Sequence, residues 1–313
     1  MHPVEAENQS FTDFIACMKL SYIKAFINVY ANPCIGQNRY ICPSGTSLKG
    51  WVNNYRFMDE KSKFPKSEVL SDKEIRRYIH QIHLSGFGLI GQEKIKQAKI
   101  LVIGAGGKGS SALQNLASAG VGTIGICDNY PVTEDQLSRQ HLYGDGDLGK
   151  QKAIISRQKL VEINHLVKYK LHNVCLSEQN IDLICSGYDL LVDATDNFPA
   201  HYLINDAAIR LNKPFVYGAG KPNKGFVSVF NYKEGPSLRC CFPKPPENEQ
   251  ALPNIDFACQ VMVISIIGSV MANETLKVIL GLETKLSSNL LSIDAVNYAF
   301  SLSAIRKNPK NFK

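Results

Sequence analysis

Eleven residues, Lys99 to Gly109, constrain this chain more than any others: KILVIGAGGKG. An apolar run that ends in a glycine loop and continues as the apolar-periodic stretch Ser110 to Ala119, stopped by Gly120, opens a strand–loop–helix unit. The alternation continues downstream. Thr123 to Cys127 reads as a strand ending at Asp128, Lys150 to Glu162 as a helix, Leu190 to Ala194 as a strand, Ala200 to Leu211 as a helix and Phe215 to Tyr217 as a strand. These strands are continuously apolar, the mark of a parallel sheet buried on both faces. Phe226 to Tyr232 and Leu290 to Ala304 alternate differently and predict an antiparallel extension. The expected fold class is α/β: a Rossmann-like, doubly wound, mainly parallel sheet with an antiparallel extension, plus a small N-terminal accessory segment.

That accessory segment is residues 1–66, followed by one domain over 67–313. The first part holds the only tryptophan, Trp51, and three of nine cysteines. Phe14 to Tyr30 has helical spacing, Arg39 to Cys42 and Gly50 to Phe57 suit short strands, and Lys61 to Lys66 suits a linker. Ser71 with Glu74 three residues later forms a capping box opening a helix through Gln81. Phe257 to Asn273, broken by Gln260, Ser265 and Asn273, predicts a buried helix rather than a membrane span. No secretory signal is visible and the cysteines are scattered without any CxxC, so a cytoplasmic protein without a disulfide framework is expected. The net charge of +7 attracts anions, but no Arg/Lys block marks a nucleic-acid partner.

The chemistry begins at the loop. Gly104, Gly106, Gly107 and Gly109 let backbone N–H groups approach a phosphate at a helix N-terminus, and Asp128 is placed to accept hydrogen bonds from a ribose. Taken alone, the loop favours an NAD-binding dehydrogenase, because dinucleotide folds are so common. Arg139, Gln140 and Lys152 shift the balance, because two cations after the second strand suit a triphosphate and its leaving pyrophosphate. Asp193-Ala194-Thr195-Asp196-Asn197 then ends a strand where ligands of open α/β sheets collect, and the Asp196 carboxylate could hold Mg²⁺. Singly, Arg139 and Lys152 could be surface cations and Asp196 a helix N-cap. Together, in this order, they describe one ATP site.

The run from Leu70 to Asp128, with LSRQ, LGKQK, DATDN and GFVSVFNYKEGP, resembles the ThiF/MoeB/HesA group of E1-like activating enzymes over about residues 70–305. The resemblance implies an ATP- and Mg-dependent adenylyltransferase in which a carboxylate attacks the α-phosphate, forming an acyl-adenylate and pyrophosphate. It implies that Gly104, Gly106, Gly107, Gly109, Gln140 and Asn197 bind nucleotide and Asp128 the ribose, that Arg139 and Lys152 meet phosphates and that Asp196 holds Mg²⁺. It also implies a homodimer.

Departures bear on the substrate. The family's first CxxC reads Ser237-Leu238-Arg239-Cys240 and its second falls at Asn308 to Lys313, so no zinc is expected. The Arg that in relatives reaches across a dimer to the nucleotide is His80, and the Arg after the DATDN strand is His201. Ser-Asn before Leu is Asp135-Gln136. Cys259 lies near the family's crossover loop, here Lys244 to Asp256, but five residues from the acyl-accepting position, and reads as a buried helix cysteine; Cys240 and Cys241 read as structural. The leading expectation is activation of a carboxylate, a Glu side chain, on a ribosomally made peptide, with dehydration or cyclisation, as in the microcin C7 and pantocin A branch. The alternatives are activation of a ubiquitin-like sulfur carrier ending in Gly-Gly, and an inactive peptide-binding scaffold.

Overall fold

The computed structural model describes residues 65–244 and 261–312, all within a unit that spans Pro65–Lys313. The calls on Phe14 to Tyr30, Arg39 to Cys42, Gly50 to Phe57, most of the linker and crossover loop, and Cys259 fall outside the described residues.

Among the described residues eight strands form one sheet: β1 (Lys99–Ile103), β2 (Thr123–Cys127), β3 (Lys168–His172), β4 (Leu190–Asp193), β5 (Phe215–Lys221), β6 (Lys224–Phe230), β7 (Asn289–Asp294) and β8 (Ala299–Ala304). Their order is β3-β2-β1-β4-β5-β6-β7-β8, parallel from β3 to β5 and antiparallel from β5 to β8. This is the expected α/β architecture. From β1 the chain builds outward first through β2 and β3, then on the other side through β4, so the order reverses between β1 and β4. That reversal opens a crevice at their C-terminal ends.

The described helices are α1 (Asp72–Arg77), α2 (Ile79–Ile82), α3 (Gly88–Gln97), α4 (Gly107–Ala119), α5 (Glu134–Leu137), α6 (Lys152–Ile163), α7 (Ile181–Ser186), α8 (Phe198–Arg210), α9 (Leu238–Cys241) and α10 (Val261–Leu280). The capping box is present: Ser71 and Glu74 bond reciprocally. The helix it opens does not run through Gln81, however. It breaks at Tyr78, whose side chain is buried against Gly120 and whose hydroxyl accepts from Asn164 Nδ2 at 2.8 Å. Burying an aromatic ring there outweighs one more helical turn.

Two further expectations need correction. Leu290 to Ala304 is a hairpin, β7 and β8, turned by Asp294, whose carboxylate accepts from the backbone N–H groups of Val296 and Asn297. Helix α4 starts at Gly107 rather than Ser110, so the last glycines of the loop already form its first turn. Strand β3 and helices α3 and α7 were absent from the sequence reading; β3 is half-exposed and lacks the continuous apolar run of its neighbours.

Helix α10 extends the predicted buried helix to Leu280. By length and composition it could cross a membrane, but Val263, Ile267 and Met271 are buried in the same core as Val216 and Val227 of the sheet. It crosses α4, where Ser111 Oγ donates to the Ser265 carbonyl at 2.9 Å. A second apolar layer, with Tyr202, Ile204 and Phe230, fills the other face of the sheet.

Candidate active site

The loop after β1 takes its path from three constraints. Gly104 has φ +89°, a region that side-chain-bearing residues avoid. A Cβ on Gly109 would lie 2.0 Å from the Gly104 carbonyl oxygen, so only glycine lets the first turn of α4 close on the loop. From behind, the buried Tyr143 hydroxyl donates to the Ala105 carbonyl at 2.7 Å. Gly106 stands at the N-cap without a side chain to satisfy the first amides of α4, which leaves that helix end suited to an anion.

The residues singled out from sequence collect around this end. Asp128, at the tip of β2, accepts from Ala105 N at 2.8 Å and from Tyr130 N at 2.8 Å, and its carboxylate keeps further acceptor sites for a ribose. The Arg139 carbonyl packs against Gly107, and the Gln140 amide nitrogen would lie 3.7 Å from a Cβ on Gly106. Gln140 is buried, yet its Oε1 has no partner. A buried carboxamide oxygen left unbonded costs about 1–3 kcal/mol, and a hydroxyl or amino group of a nucleotide, unlike its phosphates, could donate to it. Gln136 Oε1 and Gln151 Oε1 are orphaned in the same segment.

Lys152 opens α6 and is 4% exposed. Burial and the like charge of Arg139 hold its pKa below the ordinary lysine value, against the opposing pull of Asp128, Asp196 and Asp135. Cations and carboxylates that were spread from 128 to 196 in sequence thus act on one ammonium. An anionic ligand would relieve the cost of keeping that charge out of water.

Asp196 and Asn197 follow β4. The N-cap of α8 is Asn197, whose Oδ1 accepts from Ala200 N at 2.9 Å, so the capping role considered for Asp196 belongs to its neighbour. Asp196 is exposed and retains its carboxylate for other partners. One carboxylate together with substrate phosphate oxygens is a donor set that suits Mg²⁺. His80 stands exposed on α2, and among the described residues no hydrogen bond or ion pair joins it to the cluster.

Sequence reasoning missed the support beneath this loop. Asp193 is fully buried; its carboxylate accepts from Thr195 Oγ1 at 2.7 Å and bonds His201 Nδ1 at 2.7 Å. Because a carboxylate accepts, Nδ1 carries the proton. His201 is therefore an internal partner of Asp193, flanked by the Tyr217 ring. Lys108 was missed too, although one long cation among loop glycines is itself a signal.

The zinc positions also come together, with other chemistry. Cys240 Sγ accepts from Asn308 N at 3.2 Å and Asn311 Nδ2 at 3.4 Å, and lies 3.4 Å from Ser237 Oγ. Burial raises the Cys240 pKa, but these hydrogen bonds outweigh it and bring the thiol below its usual value. One thiol, one hydroxyl and two amides do not make a zinc site. Among the described residues no group of three His, Cys, Asp or Glu could hold a metal.

Comparison with known proteins identifies the chain's family and fold. The ThiF family model matches residues 78–312. A sulfur carrier protein adenylyltransferase from Thermus thermophilus is 41% identical over 244 residues, covering 76% of this chain and 90% of the relative. The adenylyltransferase and sulfurtransferase MOCS3 of Culex quinquefasciatus is 40% identical over 77% of this chain, which spans only 55% of that relative. Among solved structures, E. coli MccB with ATP superposes with a TM-score of 0.65 at 20% identity, over 83% of this chain and 80% of that one. PaaA gives 0.65 at 22%, over 83% and 82%.

Proposed function

The chain belongs to the ThiF family, and on that basis we propose that it is an ATP- and Mg-dependent adenylyltransferase that activates the C-terminal carboxylate of a ubiquitin-like sulfur-carrier protein. What supports adenylation is the packing of the Arg139 carbonyl on Gly107 and the bond from Ala105 N to Asp128 at the glycine loop, with Asp128, Arg139 and Asp196 all acting electrostatically on the buried Lys152. Bringing a carboxylate to a triphosphate sets anion against anion, and charge neutralisation is what such a step needs most.

In this reading the first amides of α4 hold a phosphate and Asp128 holds the ribose. Lys152 and Arg139 take up the negative charge that grows on the departing pyrophosphate as the carboxylate oxygen attacks the α-phosphorus. Asp196 would hold Mg²⁺, which when bound neutralises phosphate oxygens and orients the leaving group. Gln140 Oε1 would accept from a hydroxyl or amino group of the nucleotide. A homodimer, with His80 facing the partner's nucleotide, and a cytoplasmic location belong to the same proposal.

The carrier substrate is preferred to the peptide that the sequence first suggested, because support comes from a relative matched over nearly its whole length. The peptide reading keeps its own support in residues 1–66 and in the reduced cysteine set around Cys240. Intact-mass spectrometry separates them. Purified protein with Mg-ATP is given a Gly-Gly-ending carrier and a short Glu-containing peptide. An AMP adduct on the carrier supports the proposal; loss of water from the peptide with the carrier unchanged overturns it. No change in either, with no ATP turnover, would leave the inactive scaffold.

A further inference from the structure

Two loops meet at the crevice: the glycine loop that would cradle phosphate, and the loop after β4 that carries Asp196. They touch through backbone, since a Cβ on Gly104 would lie 2.9 Å from the Ala194 carbonyl oxygen and 3.2 Å from Thr195 N. Across this seam runs one long side chain. Lys108, in the first turn of α4, is 7% exposed, and its Nζ donates to the Thr195 carbonyl at 2.7 Å. That carbonyl belongs to the peptide bond that leads into Asp196. From below, the same residue is held by Asp193, which accepts from Thr195 N at 3.1 Å and from Thr195 Oγ1 at 2.7 Å.

Thr195 is thus gripped from two sides, by a buried carboxylate at the end of β4 and by a buried ammonium from the first turn of α4. A charged donor on a backbone carbonyl out of water makes a strong bond, and burying a lysine is costly unless it is so used. We propose that Lys108 is a positioning residue that fixes the Asp196 loop against the phosphate loop, setting the separation at which a metal held by Asp196 can reach a phosphate held by α4. This rests on the reading of Asp196 as the metal-holding carboxylate. Lys108 itself acts through Thr195.

The test compares Lys108→Met, which keeps the stem and removes the ammonium, with Asp196→Ala and wild type. Deuterium exchange of the ligand-free protein is read over residues 194–197, and ATP affinity is measured calorimetrically with and without Mg²⁺. Lys108→Met should exchange about tenfold faster in that segment, as expected for loss of a charged hydrogen bond, and lose most of the Mg²⁺-dependent gain in ATP affinity. Asp196→Ala should lose the Mg²⁺ gain with ordinary exchange over α8. Should Lys108→Met not fold, Lys108→Gln, which keeps a donor but falls one bond short, takes its place. Wild-type exchange and an intact Mg²⁺ effect in the Lys108 variant, with the effect lost in Asp196→Ala, overturn the proposal alone. An intact Mg²⁺ effect in Asp196→Ala overturns the metal reading and with it the purpose assigned to Lys108.

Discussion

Replacing Lys152 by methionine should separate stability from binding. The ammonium is buried and its pKa is lowered, chiefly by burial, so the folded protein binds that proton less tightly than the unfolded chain does. At neutral pH the charge therefore opposes folding, and this opposition fades as pH rises through the lowered value toward the ordinary lysine range. Removing it leaves no stranded buried charge: Asp196 is exposed, and Asp128 is half-exposed with two backbone donors. Methionine fills the same stem volume. Lys152→Met should thus melt within about 4 °C of wild type or slightly above it, a change of no more than about 1 kcal/mol for a domain of this size. ATP binding should respond oppositely. A charged hydrogen bond to phosphate contributes about 1.5–3 kcal/mol, which corresponds to roughly a 10- to 100-fold loss of affinity. Scanning calorimetry and ATP titration on one preparation read both quantities. A melting point lowered by well over about 4 °C would mean that Lys152 holds the fold together, and ATP affinity within about threefold of wild type would remove it from the nucleotide site; either refutes the reasoning.

Asp196→Ala should abolish Mg-dependent ATP–pyrophosphate exchange with an unchanged melting point, whereas Asn197→Ala should cost about 1 kcal/mol of stability because Asn197 is the cap of α8; equal melting-point losses would contradict this division. Gly109→Ala would place a Cβ 2.0 Å from the Gly104 carbonyl oxygen, so soluble protein should lose ATP binding measured by titration. Glu74 is buried, which raises its pKa, but its bonds with Lys96 and Ser71 more than offset this and hold the pKa below the ordinary value. The stabilisation is present above the ordinary glutamate range and lost as pH falls through the lowered value. Glu74→Gln should then destabilise by about 1–3 kcal/mol at pH 7 and by much less near pH 3, followed by thermal melts across that range. Finally, His80→Ala should weaken ATP binding, measured by titration, if His80 meets a partner's nucleotide, and unaltered affinity removes it from the site.

The glycine loop, Asp128, Lys152 and Asp196 were legible because each follows the end of a continuously apolar strand or opens a helix, and local patterning fixes those ends; Arg139, in the turn after α5, was singled out by its charge alone. The errors have a common source. Tyr78 breaks a helix that local signals favour because its ring is buried against Gly120, some forty residues away. Strand β3 was missed because an edge strand pairs on one side only and needs no continuous apolar run.

Sequence by itself determined the alternation of strand and helix, the glycine loop and the kinds of charge placed near it, because periodicity, glycine conformational freedom and side-chain chemistry are local. Tertiary structure decided what each charge does. Asp193 and His201, eight residues apart, become a buried pair under Thr195, while Asn197 takes the cap and leaves Asp196 exposed. Lys108 reaches a carbonyl 87 residues away. Ser237, Cys240, Asn308 and Asn311 close on one sulfur. Such partnerships depend on the reversal of strand order between β1 and β4 and on the return of the C-terminal tail, and burial then sets the electrostatics that no linear spacing encodes.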